Sequence, residues 1–175
     1  MPRRRRIAAV RPNAEFAEAA ERHLDDVLAF LVYLTGDRNV AEDLTAETFA
    51  RALERWRRFD PRRGSARTWL CQLARSTALD HFRSEERRRR REGRYSVDLR
   101  EPVEAPFGSG LSPELEGALA RLSAAEREVI ALRVVVELDG ETAARVLGIS
   151  VTACSTRLSR ALQKLEKEVS AGVAA

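Results

Sequence analysis

Apolar residues recur every three or four positions through most of this 175-residue chain, and in one long internal segment the period stops. Residues three and four apart share one face of a helix, so such a pattern requires helices that are each buried along one side. No stretch sustains the apolar–polar alternation of a strand. Between Gly93 and Ser112 the chain instead carries Pro102, Pro106, Gly108, Ser109 and Gly110 without a stripe, the composition of a flexible linker. The expected fold is therefore all-α, with two small helical domains. A basic tail spans residues 1–12, the first domain 13–92, the linker 93–111, a helix-turn-helix domain 112–169 and a short tail 170–175.

In the first block Phe16, Ala20, Leu24, Val27 and Leu31 form one helical line, which Asn13 can cap at its start and Gly36 at its end. A second helix is predicted to open at Asn39, with Glu42 at the capping-box position, and to bury Val40, Leu44, Phe49, Leu53 and Trp56 before Asp60-Pro61 stops it. Glu42, Asp43 and Glu47 project from another face. After the loop Arg62-Arg63-Gly64-Ser65, a third helix runs from about Ala66 into the arginine tract Arg87–Arg91, with Trp69, Leu70, Leu73 and Thr77 inward.

The second block opens with Ser112-Pro113, an N-cap followed by proline at the first helical position. Ser123-Ala124-Ala125-Glu126 is a capping box ahead of the apolar Val129, Ile130, Leu132 and Val136. Asp139 can cap a short helix through Leu147, and Gly148-Ile149-Ser150 turns the chain into a last helix reaching about Glu168. Short helix, glycine turn and longer helix make a helix-turn-helix pattern. Cys154, Leu158, Leu162 and Leu165 form the inward line of the last helix, leaving Thr152, Ala153, Ser155, Thr156, Ser159, Arg160 and Gln163 outward. Outward serines and threonines, rather than Glu–Lys pairs, favour a contact surface such as a helix in a major groove, against the plainer alternative of a three-helix bundle.

Catalytic chemistry finds no support. His23 and His81 lie on different helices without metal spacing, and Cys71 and Cys154 form no CxxC pair. Gly108-Ser109-Gly110 is followed by leucine rather than by a P-loop lysine. No catalytic, cofactor-binding or metal-ligating residue is expected. No apolar run approaches the roughly 18 residues of a membrane span, and Ile7–Val10 is too short for the core of a signal peptide, so a cytoplasmic location is expected. Charge is more informative: Met1–Tyr95 holds 22 Arg against 15 Asp and Glu, a net of +7, while Pro113–Ala175 is close to neutral. A basic first half made of arginine, whose planar fork suits phosphate, points to nucleic acid.

Three stretches then carry a family resemblance. Gly36-Asp37, with Ala41-Glu42-Asp43-Leu44-Thr45-Ala46-Glu47-Thr48-Phe49-Ala50-Arg51-Ala52-Leu53 behind it, is the first. Arg67-Thr68-Trp69-Leu70, with Leu73-Ala74-Arg75-Ser76-Thr77-Ala78-Leu79-Asp80-His81-Phe82-Arg83, is the second. Leu122–Arg133 with Ala143–Ala161 is the third. In this order, around a loose linker, they resemble the extracytoplasmic-function group of the sigma-70 family, bacterial initiation factors of RNA polymerase.

The resemblance implies binding to core RNA polymerase, on the β′ clamp helices and the β subunit, with Glu42, Asp43 and Glu47 on the main docking face. It implies that the loop and third helix recognise and melt the −10 element, placing Arg62, Arg63, Arg67, Arg75, Ser76, Asp80 and Arg83 near the separated strand. It makes the last helix the −35 reader, with Thr152, Ala153, Ser155, Thr156, Arg157, Ser159 and Arg160 against promoter DNA; Arg157 and Arg160 hold phosphates and the earlier residues lie nearest the bases. Trp69 could stack on a base, but its place in the helix stripe favours the core. Departures from the family pattern are Ser76 in place of asparagine, Thr152-Ala153-Cys154-Ser155-Thr156 in place of Gly-Thr-Val-Lys-Ser, and Asp139-Gly140-Glu141 before the helix-turn-helix. They leave the −35 preference open.

Many relatives are held by an anti-sigma factor, which the resemblance admits as a partner. Separately, Ala174-Ala175 resembles the endings that Clp-type unfoldase-proteases take up, a possible degron. Two further readings stay open on sequence: a regulator that uses the helix-turn-helix alone, and an adaptor that mimics sigma surfaces without initiating.

Overall fold

A computed structural model describes residues 10–91, 107 and 111–173, all of it helix and connecting turn with no strand among the described residues. The expected N-terminal tail up to residue 9, nearly all of the linker, and Ala174 and Ala175 lie outside the described residues. The helices are α1 (Val10–Thr35), α2 (Arg38–Arg55), α3 (Ala66–Arg91), α4 (Pro113–Ala120), α5 (Ala124–Ile130), α6 (Gly140–Leu147) and α7 (Val151–Val173). A 3-10 turn, Trp56–Arg58, follows α2, and a π-helical segment, Ala131–Val135, follows α5.

The first unit is a three-helix bundle of α1, α2 and α3. Val27, Phe30, Leu31 and Leu34 of α1 meet Ala41, Leu44 and Ala52 of α2 and Leu70, Cys71, Ala74 and Ala78 of α3, all buried. Thr45 and Thr48 are buried too, and each hydroxyl donates to the carbonyl one turn back, Ala41 at 2.7 Å and Leu44 at 2.6 Å, which removes the cost of a bare polar group. Helix α1 ends where Gly36 takes φ +66° and its N–H donates to the Val32 carbonyl at 2.8 Å, as its expected role requires.

Four expectations for this unit are corrected, the first being that Leu24, placed on the inward line of α1, is 46% exposed. Helix α1 begins at Val10 rather than at an Asn13 cap, because Pro12 in a first helical turn has no N–H to lose. Helix α2 is capped by Asp37, whose carboxylate accepts from Val40 N at 3.1 Å, and not by Asn39; Glu42 turns instead to Arg38 at 2.9 Å. Leu53 is 49% exposed, while Ala52 beside it is fully buried. Where α2 crosses its neighbours closely a methyl fits the contact and a leucine does not.

Phe16, Trp56, Phe59 and Trp69 form an aromatic cluster at one end of the bundle, with ring centroids 4.9 to 5.8 Å apart. It anchors the 3-10 turn and the loop after it. Asp60 tightens that loop by accepting from Arg62 N at 2.9 Å, and Ser65 caps α3 by accepting from Thr68 N at 3.2 Å.

In the second unit α4, α5 and α6 each pack on α7. The expected caps are in place: Ser112 accepts from Leu115 N, Ser123 and Glu126 form the complete capping box, and Asp139 accepts from Thr142 N. Val129, Ile130, Leu132 and Val136 are buried. The π segment lets the chain leave α5 with an extra residue in its turn, and Arg133 closes the exit by donating to the Leu138 carbonyl. Gly148, at φ +68°, makes the turn of the helix-turn-helix, and Ile149 N donates to the Ala144 carbonyl at 3.1 Å. Two expectations change. Helix α7 runs to Val173 instead of fraying after Glu168, and Ala161 takes the core position expected of Leu162, which is 41% exposed.

The two units pack directly on each other, α1 against α5 and the π segment, α3 against α6. Arg127 donates to the last carbonyls of α1, Tyr33 at 3.0 Å and Leu34 at 3.4 Å. Phe107, from the linker, is buried beside Tyr33 with ring centroids 5.6 Å apart.

Candidate nucleic-acid interface and partner face

Helix α2 turns Glu42, Asp43 and Glu47 to solvent, as its periodicity requires once Ala41, Leu44, Thr45 and Thr48 face inward. Glu47 pairs with Arg51 at 2.5 Å, and Arg51 reaches across to Asp80 of α3 at 3.2 Å. Exposed Leu53 lies about three turns beyond Glu42 on the same side of the helix, adding an apolar end to an acidic face. Sequence periodicity had assigned Leu53 inward; its helical phase with Glu42 and Ala46 was the signal available.

The residues expected at the separated strand divide into three groups. Arg63 lines a cleft of about 310 Å³ whose walls include Arg58, Phe59, Asp60, Thr68, Trp69 and Gln72, and Arg62 is exposed beside it. Ser76, Asp80 and Arg83 follow one another along an exposed stripe of α3, with Arg83 3.5 Å from Asp80. Arg67 and Arg75 are committed elsewhere: Arg67 donates to Asp26 of α1 at 3.0 Å, and Arg75 donates to Glu128 of α5 at 2.7 Å. Sequence reasoning missed Phe59, Thr68 and Gln72 as cleft walls. Trp69, half-buried and in contact with Trp56 and Phe59, belongs to both the aromatic cluster and the wall. Arg145 of α6 also lines this cleft, which no feature of the first half could have indicated.

On the second unit a groove of about 610 Å³ runs between the start of α5 and the start of α7, lined by Ser123, Glu126, Ser150, Thr152, Ala153, Thr156, Arg157 and Arg160. Ser155 and Ser159 are exposed on the same helix outside the groove, so the expected −35 group lies on one exposed side of α7. Ser150 caps α7 by accepting from Ala153 N at 3.1 Å. The unpaired N–H groups of the first turn give that end a partial positive charge suited to phosphate. The Ser123 N–H, then the Ser123 hydroxyl and Lys164, hold the Glu126 carboxyl below the usual carboxylate range. Both cysteines are buried, and burial pushes both thiols up, that of Cys71 to about 12, which disfavours the reactive thiolate. Among the described residues no cluster of three or more His, Cys, Asp and Glu side chains could hold a metal ion, and no helix is long and apolar enough to cross a membrane.

Fold and surfaces together define a two-unit helical protein with a helix-turn-helix in the second unit and a separate, exposed acidic face on the first. Residues 19–88 match the family model of Sigma-70 region 2, and residues 112–165 match that of Sigma-70, region 4. The chain is 30% identical over 162 residues to the ECF RNA polymerase sigma factor SigM of Bacillus subtilis, an alignment covering 89% of this chain and 96% of that protein. It is 31% identical over 156 residues to the ECF RNA polymerase sigma factor BldN of Streptomyces coelicolor, covering 87% of this chain and 59% of BldN. The solved structure of the sigma factor RpoE in complex with the anti-sigma factor NepR from Bartonella quintana superposes with a TM-score of 0.75 at 25% identity, covering 89% of this chain and 97% of that one. This chain belongs to the extracytoplasmic-function group of the sigma-70 family.

Proposed function

We propose that the protein docks on core RNA polymerase through the face of α2 that carries Glu42, Asp43, Glu47 and Leu53, and directs it to promoters. The cleft between the 3-10 turn and α3, with Arg62 and Arg63 at its mouth and the Ser76–Asp80–Arg83 stripe beyond it, takes the melted −10 strand. Its aromatic wall offers a π surface for an unstacked base, and the arginines offset part of the few kcal/mol that unstacking costs. The outward side of α7 reads the −35 element, with Thr152, Ala153, Ser155 and Thr156 toward the bases and Arg157, Ser159 and Arg160 toward phosphates.

The observation that carries this reading is the matching of both sigma regions, in order, within one chain whose acidic and basic faces are separately exposed. An acidic face suits a basic helical partner, because complementary charge steers encounter and rejects wrong partners. The test is binding to sigma-free core enzyme by the wild type and by a Glu42→Lys, Asp43→Lys, Glu47→Lys variant. The reversals should cost about 3 kcal/mol in sum, on the order of a hundredfold in Kd. Equal affinity would remove α2 as the docking face. An anti-sigma partner is proposed by analogy with the RpoE–NepR complex, and a protein that inhibits promoter-dependent transcription by binding this chain would establish it.

A further inference from the structure

The end of α3 carries charge that the fold does not use. Ala78 is the last buried residue of this helix, Phe82 still packs partly against the core, and none of residues 83–91 is buried. That last stretch holds six arginines and two glutamates, a net of +4, within about two and a half helical turns. Its two sides differ. Glu85, Glu86 and Arg89 line a small cleft against Asp37 and Val40 at the turn between α1 and α2. On the opposite side Arg83, Arg87, Arg90 and Arg91 recur at helical spacing, all exposed, and continue the stripe that Ser76 and Asp80 begin. Both glutamates are already engaged, Glu85 with Arg88 at 3.2 Å and Glu86 with Arg90 at 2.8 Å. The negative end of the helix dipole eases part of the crowding, but its effect fades within one turn. The surplus is best answered by a polyanion, for which the arginine fork is suited.

The topology says which polyanion. The cleft assigned to the unstacked base lies at the start of α3, so the DNA track follows the helix from there toward Arg91. Beyond Arg91 the chain leads on to the helix-turn-helix assigned to the −35 element, so this end of α3 faces the DNA between the two elements, which stays double-helical. We propose that Arg87, Arg90 and Arg91 form a sequence-independent clamp on the phosphates of that intervening duplex, just upstream of the melted strand. The clamp supplies phosphate contacts to a chain whose last helix has Ser155 where its relatives' pattern has lysine. The proposal rests on the assignment of α3 as the −10 helix.

The experiment uses the full chain on core polymerase, titrated over a salt series with a duplex that carries one of its mapped promoters. The variant is Arg87→Gln, Arg90→Gln, Arg91→Gln, three exposed positions whose change leaves the helix core intact. Its slope of log affinity against log salt should be shallower by roughly two to three units, since each phosphate contact contributes about 0.9. A few neutral methylphosphonate linkages just upstream of the −10 element should flatten the wild-type slope in the same way and leave the variant's as it was. A single-stranded −10 oligonucleotide should bind wild type and variant alike. An unchanged slope in the variant, or a wild type indifferent to the neutral linkages, overturns the clamp and leaves the tract to RNA or an acidic protein. Wild-type holoenzyme that binds the promoter no better than a scrambled duplex refutes the promoter reading itself, whereas normal preference with an unchanged slope in the variant refutes the clamp alone.

Discussion

Ser123 and Glu126 show what one residue pair does in so small a domain. Ser123 accepts from Glu126 N, and the Glu126 carboxylate accepts from Ser123 N at 2.7 Å and pairs with Lys164 of α7 at 3.1 Å. A cap of this kind contributes about 1 kcal/mol, so Ser123→Ala should lower unfolding free energy by about that amount in urea denaturation. The same carboxylate sets a pH dependence. Its folded pKa lies below its unfolded one, as do those of Asp139, held down by Thr142, and Glu114, held down by its own backbone N–H and Ser112. Their stabilisation is therefore complete above about pH 5 and is lost as pH falls through about 4 and below. Thermal melts should show Tm falling over that window, and Glu126→Gln should flatten the fall. Cys71 and Cys154 should resist a thiol reagent at pH 8 until denaturant is added, and rapid labelling of the native protein would contradict their burial.

At the scale of the helix, what the sequence revealed depended on how local the cause was. The caps at Ser112, Ser123 and Asp139 were legible because cap and acceptor lie within three residues. The start of α1 was not legible, since Pro12 permits a helix to begin before any capping side chain. Leu24, Leu53 and Leu162 were read as core and are exposed, while Ala52 and Ala161, adjacent to the last two, are fully buried. Periodicity finds the face but not its phase within one residue, and where helices cross closely the small residue fills the contact. Leu53→Ala should thus leave stability within about 0.5 kcal/mol while weakening polymerase binding, whereas a Leu70→Ala change in the core should cost 2 to 5 kcal/mol, roughly, in the same urea titration. Similar losses for the two would place Leu53 in the core after all.

Across the whole molecule, the exposed parts of the candidate site were legible and the buried cross-contacts were not. Exposed charge on α2 and polar residues on α7 follow from one helix at a time. That Arg75 answers Glu128, and that Arg145 borders a cleft formed by Arg63 and Trp69, depends on how two units pack, which no local spacing encodes. Phosphate contacts add a global signature, because each one releases condensed counterions. Arg160→Ala should reduce the slope of log affinity against log salt for promoter duplex by about one unit, without shifting sequence preference. The central claim, that this chain turns core polymerase into a promoter-specific enzyme, is tested most directly by adding the purified protein to sigma-free core enzyme on genomic DNA and mapping transcript 5′ ends. Defined starts that share a pair of upstream elements are the predicted result. Binding to core without defined starts, or no binding at all, would contradict it.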